Sequence, residues 1–175
     1  EKDAGYYHSI AVDSLWNSTT YEERDWRLII EYLNKAIQLD STQVKYFRNR
    51  AYAHKYNRQD SDLALRDFRK VLILDSTSNK FSSVAHYERA ILFRELNRFD
   101  EAFISINKAI EIDTIPTILS KNYNTKAWIY YDKGDYNNAI INWGIAKKLD
   151  SSKTSRLDGD ILKAKEFSEK SDFRK

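Results

Sequence analysis

The chain has 175 residues, 42% of them hydrophobic and 31% charged, and its 29 basic and 26 acidic side chains leave a formal net charge of +3. That length can bury a sizeable core, no apolar run approaches the roughly 18 residues of a membrane-spanning helix, and the interleaved charges leave no footprint for nucleic acid. The absence of cysteine excludes disulfide frameworks, thiolate zinc sites and cysteine nucleophiles together, and it fits the cytoplasm and a bacterial envelope alike. Residue 1 is glutamate and the chain holds no methionine, so the native start is expected to lie upstream.

In chain order, the first stretch with apolar content is YYHSIAVDSLWN from Tyr6, an irregular candidate for a leading helix. Thr20 followed by Glu23 reads as a capping box, which places the start of a second helix near Tyr21. That helix runs through IIEYLNKAIQLD and ends on LDST, a string that returns 35 residues later at Leu74–Thr77. Self-similarity at twenty to fifty residues is the mark of a repeat architecture.

Aligning the residues before each aspartate exposes the repeat. ALRDFRKVLILD, AFISINKAIEID and AIINWGIAKKLD match the first copy, with Ile29, Leu33, Ala36; Ala64, Phe68, Val71; Ala102, Ile106, Ala109; and Ala139, Trp143, Ala146 at helical spacing. Each set closes on an aspartate: Asp40, Asp75, Asp113 and Asp150. A three-and-four period predicts amphipathic helices that bury one face. Another helix precedes each of the last three, with Phe47, Ala51, His54; His86, Ala90, Phe93; and Tyr123, Ala127, Tyr130 in register. The polar stretches NRQDSD, LNRFD and KGDYN are turns of the kind that join antiparallel helices. After the last copy, Leu157, Ile161, Ala164 and Phe167 fall on one face of a further helix, as expected of a cap over the end of a stack.

These residues resemble the tetratricopeptide repeat family. The fourth copy is the closest match, through Tyr123, Ala127, Tyr130, the turn Gly134–Tyr136, Ala139, Trp143 and Ala146. The third follows through Ala90, Phe93, Phe99, Ala102 and Ala109. The resemblance covers roughly residues 6–150 and implies an all-α, right-handed superhelical stack of about four hairpins, near 6–40, 44–75, 83–113 and 120–150. Residues 1–152 are then the array, and 153–175 the capping helix and tail. Two departures stand out. Ser41, Ser76, Thr114 and Ser151 replace the proline that usually ends a repeat, and inserts stretch the spacing from 35 to 38 and 37.

The sequence offers little chemistry. No zinc-protease helix, phosphate loop or nucleophile elbow is present, and His54 and His86 sit where the repeat places a packing ring, so they read as structural. Asn17-Ser18-Thr19 matches a glycosylation acceptor but reads as chance. No catalytic residue, metal site or cofactor is expected.

The resemblance implies instead that first helices line a concave groove for peptides or protein segments. The residues projected there are Lys45, Arg48, Asn49, Tyr52, Lys55 and Tyr56; Tyr87, Glu88, Ile91, Arg94 and Glu95; and Lys121, Asn124, Thr125, Trp128 and Tyr131. Tyr52, Tyr87 and Trp128 lie off the alanine seam and are expected to serve a partner more than the core. The expected function is a non-catalytic protein-interaction module, without nucleic acid or membrane insertion; the alternative is a self-associating scaffold or spacer. One subgroup clamps heat-shock chaperone tails with lysine, asparagine and arginine, but Ser14, Ser18, Tyr52, Glu88 and Thr125 stand at such positions here. Glu88 would oppose an incoming carboxylate, so a chaperone tail is not expected.

Overall fold

The structure is a computed structural model that describes residues 2–16, 24–57, 60–76 and 79–172. Those residues form nine α-helices and no strand: α1 (Ala4–Trp16), α2 (Trp26–Leu39), α3 (Val44–Tyr56), α4 (Ser61–Leu74), α5 (Ser82–Glu95), α6 (Phe99–Ile112), α7 (Pro116–Asp132), α8 (Tyr136–Leu149) and α9 (Thr154–Asp172). A 3₁₀ turn, Ser151–Lys153, separates the last two. By contact the chain divides into two compact units, residues 1–85 and 86–175, with the division one turn into α5. Within each unit the principal packing is between helices adjacent in sequence.

Helix starts follow local chemistry. Asp25 caps α2 by accepting from the Leu28 N–H at 3.0 Å, which satisfies one of the donors a helix leaves orphaned. This corrects the expected start near Tyr21: Thr20, Tyr21 and Glu23 lie outside the described residues, and Arg24 and Asp25 are not helical. Asp135 caps α8 in the same way, accepting from the Asn138 N–H at 3.1 Å and from its side-chain amide at 2.7 Å. Pro116 opens α7 at its first turn, where a missing N–H costs nothing and a fixed φ suits the helix. The irregular first stretch is a regular helix all the same, and Ala11 on it is fully buried.

The recurring LDST string marks where helices stop. Asp40, Asp75, Asp113 and Asp150 each follow the last helical residue and still donate to the carbonyl of Ala36, Val71, Ala109 and Ala146. Their carboxylates then claim donors further on. Asp40 accepts from the Thr42 N–H at 2.9 Å and hydroxyl at 2.7 Å, and Asp150 from the Ser152 N–H at 3.2 Å and hydroxyl at 2.6 Å. Asp75, 3% exposed, reaches across the longer connection to the Phe81 N–H at 2.6 Å and the Ser82 hydroxyl at 3.1 Å. Asp113 takes the Asn122 amide at 2.6 Å. A short acidic side chain bonded to the following backbone competes with helix continuation, so here it does the work of the absent proline.

The turns between paired helices repeat a second device. Asn97 (φ 56°) and Gly134 (φ 84°) take the left-handed conformation after α5 and α7. The Arg98 N–H returns to the Phe93 carbonyl at 2.8 Å and the Asp135 N–H to Tyr130 at 2.9 Å, the bonding of a Schellman turn.

In the first unit Ala11, Ile29, Leu33 and Ala53 form a fully buried cluster flanked by Trp26, Ile30 and Tyr32. Ala51, Ala64, Phe68 and Val71 are equally buried, because small side chains let helices approach while the ring fills the remaining space. Arg50 ties three helices together: its fork donates to both Asp67 oxygens at 2.7 Å and to Asn34 Oδ1 at 2.7 Å. In the second unit Ala127, Ala139, Trp143 and Ala146 cluster with Leu157 and Ala164 of α9. The expected apolar face of α9 is therefore partly used: Leu157 is 1% and Ala164 0% exposed, whereas Phe167 stays 44% exposed.

Candidate partner-binding surface

Helical spacing brings Lys45, Arg48, Asn49, Tyr52 and Tyr56 onto one side of α3 in the first unit. Lys45 is exposed, its ammonium 5.4 Å from the Tyr46 ring centre. Arg48 lies 4.7 Å over the Phe81 ring and approaches Asn49 Oδ1 at 3.4 Å. Asn49 is 7% exposed, and its amide donates to His8 Nε2 at 3.0 Å. His8 was legible as nothing in particular from its position 41 residues away; only the packing of α1 against its neighbours brings it here.

Tyr52 and Trp128, both half-buried, also pack onto core rings. Tyr52 meets the fully buried Phe68 edge-on at 5.5 Å and stacks with Tyr56 at 6.0 Å. Trp128 of α7 meets the fully buried Trp143 edge-on at 5.0 Å and Tyr131 at 5.3 Å. At helix positions next to the seam a large ring reaches the adjacent core ring, so lying off the alanine positions does not free it. Tyr87, half-buried on α5, makes no ring contact among the described residues.

The rest of the second unit's surface is largely tied into the fold. Arg94 pairs with Asp132 at 3.0 Å, and Asn124 Oδ1 accepts from the Trp143 indole at 2.9 Å. Tyr131 meets Trp143, Tyr136 and Phe167. Glu88 and Thr125 are buried at 9% and 5% exposure, Ile91 is half-buried, and Glu95 and Lys121 are exposed. Lys55, half-buried, sits 5.8 Å from the Tyr56 ring centre.

The histidines favour their neutral forms. Burial pushes His8 below its ordinary range, reinforced by the charges of Lys45 and Arg48. Burial lowers His54 as well, against a partial pull from Asp67. His86 is pushed down to about 4, first by burial and then by Arg89 and Lys108. An unfolded chain therefore takes up a proton at His86 below about pH 6.5, while the folded chain waits until about pH 4. Stability from this group is present above pH 6.5 and is lost as pH falls through that window. A loss of about 1–3 kcal/mol is expected, and urea midpoints at pH 7 and pH 5 should draw together in His86→Phe if His86 is its source.

Among the described residues no group of three or more histidine, aspartate and glutamate side chains could hold a metal ion. No described helix is long and apolar enough to cross a membrane.

Paired antiparallel helices with an alanine seam and a recurring stop signal define an all-α helical-repeat protein. The family model for the tetratricopeptide repeat matches residues 83–115 and 120–142, so these two stretches of the chain are similar to tetratricopeptide repeats. No curated protein matches it in sequence. Among solved structures, a crystal structure of MamA protein is similar at TM-score 0.70 and 16% identity, over 87% of this chain and 75% of that one. MamA from Desulfovibrio magneticus RS-1, from residue 41 to its end, reaches TM-score 0.70 and 18% identity over 97% and 93%. Cut9, in the APC/C hetero-tetramer Cut9-Hcn1, gives TM-score 0.75 and 15% identity over 93% of this chain, which spans 30% of the matched one.

Proposed function

We propose that the chain is a non-catalytic protein-interaction module that receives a peptide or protein segment along the first helices of its hairpins. In this reading residues 1–152 are the repeat array and 153–175 its capping helix and tail. The observation that carries it is the makeup of those helix faces. Lys45, Arg48, Tyr52 and Tyr56 on α3, Tyr87, Ile91 and Arg94 on α5, and Lys121, Asn124, Trp128 and Tyr131 on α7 all keep some surface. Rings and arginines are the side chains that anchor interfaces. The mixed charge agrees with a protein partner, with no nucleic acid and no membrane insertion, and a chaperone tail is not expected. Cut9 was solved in a complex with Hcn1, which is the same kind of use.

A second reading, a self-associating scaffold or spacer, draws on Ile104 and Ile141. They hold equivalent positions two residues after the seam alanines Ala102 and Ala139, and are 65% and 58% exposed. A photo-crosslinking residue placed at Tyr87 or at Ile104 separates the two. The module reading expects a stoichiometric heterologous protein at position 87; crosslinks only to a second copy, from position 104, support the scaffold. Tyr87→Ala should melt within about 0.5 kcal/mol of the parent and lose capture. If it captures its partner as before, the α5 face is not part of the surface.

A further inference from the structure

The α3 face of the first unit has a one-sided charge. Its thirteen residues, VKYFRNRAYAHKY, include no acid. Neither Lys45 nor Arg48 forms an ion pair among the described residues, whereas Lys35, Arg50, Arg94, Arg98, Lys108, Lys133 and Lys147 each pair with a carboxylate. Asp40 senses the Lys45 charge, but its carboxylate is held by the Thr42 N–H and hydroxyl. Arg48 is pre-oriented by Phe81 beneath it and Asn49 beside it, so little of its rotamer freedom remains to be lost on binding. After burial, both cations also lower the His8 pKa, so each lies within electrostatic reach of that ring. One and two turns along the same helix stand the stacked rings Tyr52 and Tyr56, the latter 37% exposed.

We infer that this face takes an acidic segment of the partner, two side-chain carboxylates meeting Lys45 and Arg48 and an apolar side chain lying on Tyr52 and Tyr56. The inference rests on the interaction-module reading and gives its partner a chemistry. Side-chain carboxylates fit better than a chain terminus. Lys45 and Arg48 are spaced three residues apart, which sets them about 5–6 Å from each other along the helix, a separation suited to successive acidic side chains. The one amide in the cluster, Asn49, is already bonded to His8 and Arg48 and is not free to clamp a terminal carboxylate. Cations that hold no ion pair among the described residues add attraction without first breaking one.

The test uses the full chain and a fluorescein-labelled, C-terminally amidated peptide of repeated Glu-Glu-Leu-Phe, read by fluorescence anisotropy. Its Gln-Gln-Leu-Phe counterpart should bind at least about tenfold more weakly, and added salt should narrow the difference. Lys45→Glu/Arg48→Glu should lose the acidic peptide and gain Lys-Lys-Leu-Phe. Lys45→Gln/Arg48→Gln, which introduces no new charge, should show the loss alone; melting curves check that both variants fold. Equal binding of the Glu and Gln peptides, no binding of either, or indifference to both double substitutions overturns the inference. Oligothymidine binding as tightly as the Glu peptide also overturns it, in favour of a general polyanion site. The module reading fails separately, at the Tyr87 crosslink: a heterologous crosslink retained in Lys45→Glu/Arg48→Glu keeps the module and removes the acidic segment.

Discussion

Asp67→Ala is expected to destabilise the first unit by about 3–5 kcal/mol, because it strands a mostly buried guanidinium. Arg50 and Asp67 are 16% and 4% exposed and share two bonds at 2.7 Å. Their mutual attraction offsets the cost of taking both charges out of water; alone, Arg50 bears that cost uncompensated. The double change Arg50→Met/Asp67→Leu should recover much of the loss, since apolar replacements of a buried pair are often neutral. Urea denaturation of the parent, the single and the double variant measures this. A single variant within 1 kcal/mol of the parent would mean that water reaches the pair freely.

The second large effect belongs to Trp143, which is fully buried and the centre of the second unit's aromatic cluster. Trp143→Ala removes the ring that Trp128 and Tyr131 pack against and opens a cavity between α7, α8 and α9. A loss of about 3–5 kcal/mol is expected. Trp143→Phe keeps most of the apolar contact and gives up the bond to Asn124, which isolates that bond at about 1 kcal/mol. The same packing gives Trp128→Ala a stability cost, in contrast with Tyr87→Ala. Calorimetric melting of the three variants should rank them Trp143→Ala, Trp128→Ala, Tyr87→Ala in decreasing loss.

What could be read from sequence was what is repeated. The seam alanines and the core rings Phe68, Phe93 and Trp143 declared themselves through helical spacing, and all are buried. The stop signal was visible as LDST, although its mechanism was not: that Asp75 bonds Phe81 and Asp113 bonds Asn122 depends on where the connections fold back. The candidate surface was less legible. Periodicity says which side of a helix a residue occupies, but not whether a long side chain there bends back onto the core, as Tyr52 and Trp128 do. Nor does it pair residues on different helices, such as His8 with Asn49 or Arg94 with Asp132. Those meetings follow from tertiary packing, which a single-helix pattern does not contain.

Packing chiefly between sequence neighbours, α1 with α2, α2 with α3 and α3 with α4 in the first unit and α6 through α9 likewise in the second, has a consequence in time as well as in energy. Few long loops must close before native contacts begin to form, and chains of low contact order cross the folding barrier quickly, typically within about microseconds to milliseconds. A nucleus can start at any hairpin and spread to the next. Among the described residues α1 packs chiefly on α2 and α9 on α8, whereas α3 and α8 each pack on two helices. Hydrogen exchange should therefore be faster in α1 and α9 than in α3 or α8, a gradient set by how many helices hold each one in place.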